Sequence, residues 1–183
     1  PETEYLWRDL LKKESILQLI ERFIFLTPDK KDIIFPRYQQ RRAVNRILED
    51  MRVNHTDRNY LIQHSAGSGK TNTIAWLAHS LVSLHDEENQ NIVDTVLVVT
   101  DRIVVDRQLQ DAIRSIEHQP GVIKVMDDKA TSSDLADALA GNTKIVATTI
   151  HKFAQINKSN WMSAGVTAEK KFAILIDEAH SST

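Results

Sequence analysis

Between a short apolar run, Tyr60-Leu61-Ile62-Gln63, and a long helical pattern stands Ala66-Gly67-Ser68-Gly69-Lys70-Thr71, the stretch that most restricts how this chain can fold. Two glycines let the backbone bend until several N–H groups point at one spot. The helix that begins there adds the positive end of its dipole. Ala66, Gly67, Ser68 and Gly69 would then cradle a phosphate, Lys70 would reach the outer phosphates of a triphosphate, and the Thr71 hydroxyl would hold Mg²⁺. Such a loop needs a strand before it and a helix after it, and the flanking patterns predict both. One departure is plain: the usual motif opens with glycine at the place held here by His64. The other reading is a glycine-rich turn with an incidental lysine.

The rest of the chain alternates in the same way. Pro36 precedes a helix running to about Met51, with Ala43, Val44, Ile47 and Leu48 facing inward. The helix after the loop runs to Leu84. Val93–Thr100 is a near-continuous apolar strand, as a parallel sheet covered on both faces requires. Arg102–Ile116 is helical, Gly121–Val125 a weaker strand, and Ser133–Ala140 a short helix capped by Thr131, Ser132 or Ser133 and stopped by Gly141. Lys144–Thr149 and Phe172–Asp177 complete the strands. The alternation argues for an α/β fold with a mainly parallel sheet flanked by helices. Before it, residues 4–26 carry apolar positions spaced for one or two amphipathic helices, and Thr27-Pro28-Asp29 begins a turn. We expect a helical collar over residues 1–30 and a nucleotide-binding domain over 31–183. Both ends read as cuts through a longer protein.

The last strand runs directly into Asp177-Glu178-Ala179-His180. Brought beside the phosphate loop, Asp177 can bind Mg²⁺ and Glu178 can activate the attacking water as general base. His180 would lie near the γ-phosphate and sense it. The alternative is a strand ending in a solvated acidic turn.

Composition removes other classes. Cysteine is absent, which excludes disulfides, thiol catalysis and Cys-based zinc sites, and is compatible with the expected cytoplasmic location. No apolar run approaches the ~18–20 residues of a membrane span, so no membrane partner is expected. The net charge of -2 announces no nucleic-acid partner, although a protein can hold nucleic acid along one strip of an acidic surface. The histidines at 55, 79, 85, 118 and 151 have no ligand spacing. Pro28-Asp29 and Asp127-Asp128-Lys129 spell pieces of a nuclease core but lie far apart, so they are read as turns. Trp76 is expected in the core.

Gly69-Lys70-Thr71 with Asp177-Glu178-Ala179-His180 resembles the first RecA-like domain of superfamily 2 helicases and translocases. Arg37-Tyr38-Gln39-Gln40 with Ala43-Val44, His64–Thr71, Val99-Thr100-Asp101-Arg102 and Thr148-Thr149-Ile150-His151-Lys152-Phe153 are similar, in order, to the motor motifs of type I restriction R subunits. The resemblance implies a RecA-like P-loop domain that binds ATP and Mg²⁺, with Gln40 hydrogen-bonding adenine. It implies a motor that pumps double-stranded DNA, with a nuclease domain and a second RecA-like domain elsewhere in the polypeptide, and with methylation and specificity subunits as partners. Alone, the chain would be a weak ATPase or none, because such motors draw an arginine from the facing domain.

Thr100, Asp101 and Arg102 end one strand, and Thr148, Thr149 and Lys152 end another. In open α/β sheets this edge carries ligands. Hydroxyls, a helix N-terminus and a basic side chain suit DNA phosphates without reading bases; the same residues would also serve as strand-end caps. Two rival functions remain at this level. One is a motor of another superfamily 2 branch, in DNA repair or RNA metabolism. The other is a nucleotide-binding module that has lost catalysis.

Overall fold

The computed structural model describes residues 4, 6–27, 29, 31–55, 58–65, 67–101, 107–116, 121–127, 129–156 and 170–178. Its centre is a four-stranded parallel sheet in the order β4-β5-β3-β6, made of β3 (Thr95–Thr100), β4 (Ile123–Val125), β5 (Ile145–Thr149) and β6 (Phe172–Asp177). The two central strands explain their own sequences. Every residue of β3 and β5 is buried, so a near-continuous apolar run is what both positions demand.

Alternate residues of β3 feed two cores. Val96 and Val98 pack with Val44, Leu48, Trp76, Leu81 and Ile113 from α2 (Tyr38–Asn54), α3 (Lys70–Val82) and α4 (Arg107–Ser115). Leu97 and Val99 pack with Met126, Leu135, Leu139 and Val146, the leucines coming from α5 (Ser132–Ala140). Helices on both faces give the expected α/β architecture. Each large side chain fully buried here stabilises the fold by roughly 1.5–3 kcal/mol.

Trp76 sits in the first core with no exposed surface. Its indole N–H donates to the Phe23 carbonyl at 2.9 Å, and its ring meets Phe23 and Phe25 at 5.8 Å each. This ties the N-terminal segment to the sheet domain. That segment, where the spacing suggests one or two amphipathic helices, holds α1 (Lys13–Gln18) between two single π-helical turns, Leu6–Leu10 and Leu19–Phe23. A small hairpin follows, β1 (Phe25–Leu26) against β2 (Ile33–Ile34), its turn held by the Thr27 hydroxyl donating to Asp29 at 2.6 Å.

Helix ends follow the sequence closely. Thr131 caps α5: its hydroxyl accepts from the Asp134 N–H at 3.2 Å, and the Asp134 carboxylate accepts from the Thr131 N–H at 2.7 Å. The Thr131 N–H and then the Thr131 hydroxyl, both donating to it at 2.7 Å, hold the Asp134 carboxyl below the usual carboxylate range. Gly141 ends α5, but in an extended conformation (φ -74°) rather than the left-handed one. The need for glycine there is contact, since a Cβ would stand 3.2 Å from the Asp137 carbonyl.

One expectation is corrected. Tyr60–Gln63 is not a strand, and Leu61 is 89% exposed. The cause is a polar tether to α2. The Tyr60 hydroxyl donates to Asp50 at 2.7 Å, while Arg58 donates to Asp50 at 3.3 Å and to Asn54 at 3.2 Å. The segment therefore follows the helix, and among the described residues β6 forms one edge of the sheet.

Candidate nucleotide site

The phosphate loop is bent where its sequence says it can bend. Gly67 (φ 71°) and Gly69 (φ 82°) are left-handed, a region open to glycine at little cost. Ser68 N–H donates to the Ser65 carbonyl at 3.2 Å, closing the turn. Gly69 is the N-cap of α3, and its carbonyl accepts from Asn72 and Thr73 N–H at 3.1 and 3.2 Å. Lys70 and Thr71 thus occupy the first turn of α3, with the helix dipole behind them. Ala66 lies outside the described residues.

The paired acids come to the same place. β3 and β6 run in register to their C-terminal ends, where Thr100 stands opposite Asp177 and, on its other side, opposite Thr149. Glu178 then adopts φ 56°, rare for a residue with a side chain, and ends β6. Its carboxylate lies 3.2 Å from the Lys70 ammonium, both groups being about one-third exposed. The two motifs meet, as the sequence reading requires. His180 lies outside the described residues.

Gln40, buried on α2, reaches the loop from behind. Its amide nitrogen donates to the carbonyls of Ser68 (3.1 Å) and Gly69 (2.9 Å), and its oxygen accepts from the Arg37 N–H at 2.8 Å. A Cβ on Gly69 would stand 2.5 Å from that nitrogen. Gln40 therefore braces the loop, a role the sequence reading missed; both amide protons serve the loop in this arrangement. Arg37 adds a longer contact, Nη1 donating to the Gly67 carbonyl at 3.5 Å. The only sequence signal for either link is that Arg37 and Gln40 fall at the start of the helix before the loop.

The strand-end residues considered for DNA are placed unevenly. Thr100, Thr148 and Thr149 are buried. The Thr149 hydroxyl accepts from the Lys152 N–H at 3.3 Å and caps α6 (Ile150–Ala154). The Lys152 ammonium donates to the Asp127 carbonyl and, at 3.5 Å, to that of Met126, so it clamps the β4–α5 loop. Asp101 is half-buried, and Arg102 lies outside the described residues. Among the described residues no group of three or more His, Cys, Asp or Glu could hold a metal, and no helix is long and apolar enough to cross a membrane.

The donor set suits a magnesium-bound triphosphate. A glycine-lined turn, a lysine in a helix's first turn, a hydroxyl beside it and two carboxylates at the facing strand end are the groups such a ligand uses. The buried Ser68 hydroxyl also has no hydrogen-bond partner among the described residues, so one polar group of the loop is left to pair with something else. Comparison with known proteins agrees. The chain is 29% identical to the putative type I restriction enzyme MjaVIIIP endonuclease subunit of Methanocaldococcus jannaschii, over 97% of this chain but 19% of that protein, so it spans about a fifth of that relative's length. The family model for the SWI2/SNF2 ATPase matches residues 39–183, which take in Gln40, the phosphate loop and the paired acids. With that match over most of its length and a RecA-like parallel sheet beneath the site, the chain belongs to the SWI2/SNF2 ATPase family.

Proposed function

We propose that this chain is the ATP-binding half of a DNA-translocating motor in the R subunit of a type I restriction enzyme. The observation that carries the ATPase part of this reading is the 3.2 Å approach of Lys70 to Glu178, which sets the phosphate-binding and water-activating ends of one reaction side by side. Similarity to a restriction enzyme subunit supports the DNA-directed part.

The loop N–H groups and Lys70 bind the phosphates, and Gln40, holding the loop from behind, uses its remaining oxygen lone pair on the adenine amino group. Thr71 and Asp177 would hold Mg²⁺, which supplies charge neutralisation at the β- and γ-phosphates when bound. Incoming phosphate oxygens compete with Glu178 for the Lys70 ammonium. Released from that ion pair, the Glu178 carboxylate accepts the proton of the attacking water, and ADP leaves as the bond to the γ-phosphorus breaks. His180 senses the γ-phosphate.

Duplex DNA runs over the strand-end edge. Asp101 and the α6 turn with Lys152 face it, Arg102 follows Asp101 in sequence as a further phosphate ligand, and the hydroxyls of Thr100, Thr148 and Thr149 support that edge from below. An arginine from a facing RecA-like domain supplies a further ~10³–10⁵ in rate, so this chain alone turns ATP over slowly. Methylation and specificity subunits are the partners of the complete assembly.

The test uses the full-length subunit. Lys70→Ala should lose ATP binding. Glu178→Gln should keep binding and lose about 10²–10⁴ in DNA-stimulated hydrolysis, the worth of a general base. Full hydrolysis and DNA translocation by Glu178→Gln would remove Glu178 from this role.

A further inference from the structure

The face of α2 turned away from the core forms one wall of a cleft of about 440 Å³, and the segment entering the phosphate loop forms the other. Arg42 and Arg46, one helical turn apart and both exposed, line it together with His64 and Ser68, and no carboxylate among the described residues does. In a chain of net charge -2 this is a local concentration of positive charge. Neither guanidinium has an ion-pair partner among the described residues. The carboxylate one turn beyond Arg46, Asp50, is already held by Tyr60 at 2.7 Å, Asn54 at 2.9 Å and Arg58 at 3.3 Å. Arg42 lies over the Tyr38 ring at 5.7 Å, which steadies the guanidinium without neutralising it.

Two polar atoms of the lining residues are buried without a hydrogen-bond partner among the described residues: Ser68 Oγ, in a residue only 8% exposed, and His64 Nε2. Buried polar atoms in folded proteins are nearly always paired, so each unpaired one asks for a partner. Two uncompensated forked cations and a spare hydroxyl in one concavity call for a ligand with several anionic oxygens, and guanidinium geometry matches phosphate. Neither Lys70 nor Glu178 lines this cleft, so it is separate from the place where they meet.

We propose that the Arg42–Arg46 cleft binds the backbone phosphate of a polynucleotide against the back of the phosphate loop. The inference rests on the DNA-motor reading above and adds to it a contact outside the strand-end edge. Because Ser68 belongs to both the cleft and the loop, polynucleotide and nucleotide binding are coupled through it, and that coupling is reciprocal.

The test is the anisotropy of a labelled mixed-sequence duplex, titrated with the full-length protein across a range of salt concentrations. Calorimetry with an ATP analogue and with inorganic phosphate runs in parallel. Arg42→Gln/Arg46→Gln should weaken duplex binding at least tenfold and lower the log–log salt slope by about 0.9 for each phosphate no longer neutralised. Its analogue affinity without DNA should stay within twofold. Arg42→Lys/Arg46→Lys, which keeps the charge, should keep the slope. Unchanged duplex affinity and slope in the glutamine variant would overturn the proposal, as would a reduced slope in the lysine variant. An equal drop in analogue and duplex affinity would assign the cleft to the nucleotide site, and a drop in inorganic phosphate binding alone would assign it to the free ion; either result overturns a polynucleotide site. Failure of the unaltered protein to bind duplex would remove the DNA-motor reading itself, and this proposal with it.

Discussion

The Gln40 amide nitrogen donates to the Gly69 carbonyl at 2.9 Å, and the Cβ that any other residue would carry at position 69 would stand 2.5 Å from that same nitrogen. Gly69→Ala therefore meets two obstacles: a left-handed backbone (φ 82°) and a displaced brace. Gly67→Ala meets only the first, because nothing lies within 4 Å of its Cβ position. The left-handed conformation alone costs about 1–2 kcal/mol in a residue with a side chain. Thermal denaturation should rank Gly69→Ala below Gly67→Ala, and calorimetry should show at least a tenfold weakening of ATP-analogue affinity for Gly69→Ala. Equal melting temperatures would count against the brace.

Gln40→Ala removes two donated bonds and one accepted bond near the loop. A buried carbonyl left unpaired costs about 1–3 kcal/mol. The variant should lose stability in urea denaturation and bind both ATP and GTP analogues more weakly. A residue that only reads adenine would behave differently: the preference for ATP over GTP would vanish while the urea midpoint stayed in place. Gln40→Glu, which keeps the shape but turns an oxygen toward two carbonyls, should be at least as destabilised as the alanine variant.

Trp76 offers a separate test of how the N-terminal segment is held. Trp76→Phe keeps most of the packing but leaves the Phe23 carbonyl without its donor, a cost of about 1–3 kcal/mol. Trp76→Ala also empties the centre of the first core and should cost about 3–5 kcal/mol. Urea midpoints measure both. An alanine variant no weaker than the phenylalanine one would mean that the segment contributes little through this ring.

Tyr60 provides a titration signature of the tether that displaces the expected strand. Burial, followed by the bond to Asp50 and that carboxylate's charge, pushes the phenol from its ordinary 10.0 up to about 12. The folded value is raised, so the contribution of this group to stability is fully present below pH 10 and is lost as pH rises through about 12. Ultraviolet titration should show a phenol that ionises near pH 12 in the unaltered protein and is missing from Tyr60→Phe. Asp50→Asn should move it down only in part, because the partial burial of the phenol, the largest single cause, remains. Absence of that high-pH ionisation from the unaltered protein would show that the segment is not tethered in solution.

What the residue pattern alone determined was local and periodic. Continuous apolar runs marked β3 and β5 because strands covered on both faces have no polar side. Gly67, Gly69 and Lys70 marked the loop because few residues tolerate that bend and few chemistries use it. Thr131 and Gly141 marked the ends of α5. Tertiary structure decided what depends on distance through space. It carried Glu178 to Lys70 by aligning the ends of β3 and β6, and it drew residues 58–60 onto Asp50 and away from any sheet. It also turned Gln40 toward the loop carbonyls and buried the hydroxyls of Thr100, Thr148 and Thr149. A four-residue apolar pattern such as 60–63 carries a weak preference, and three polar contacts to a neighbouring helix outweigh it. Partner choice among side chains depends on which groups the fold brings within about 3 Å of one another, a separation that linear order does not encode.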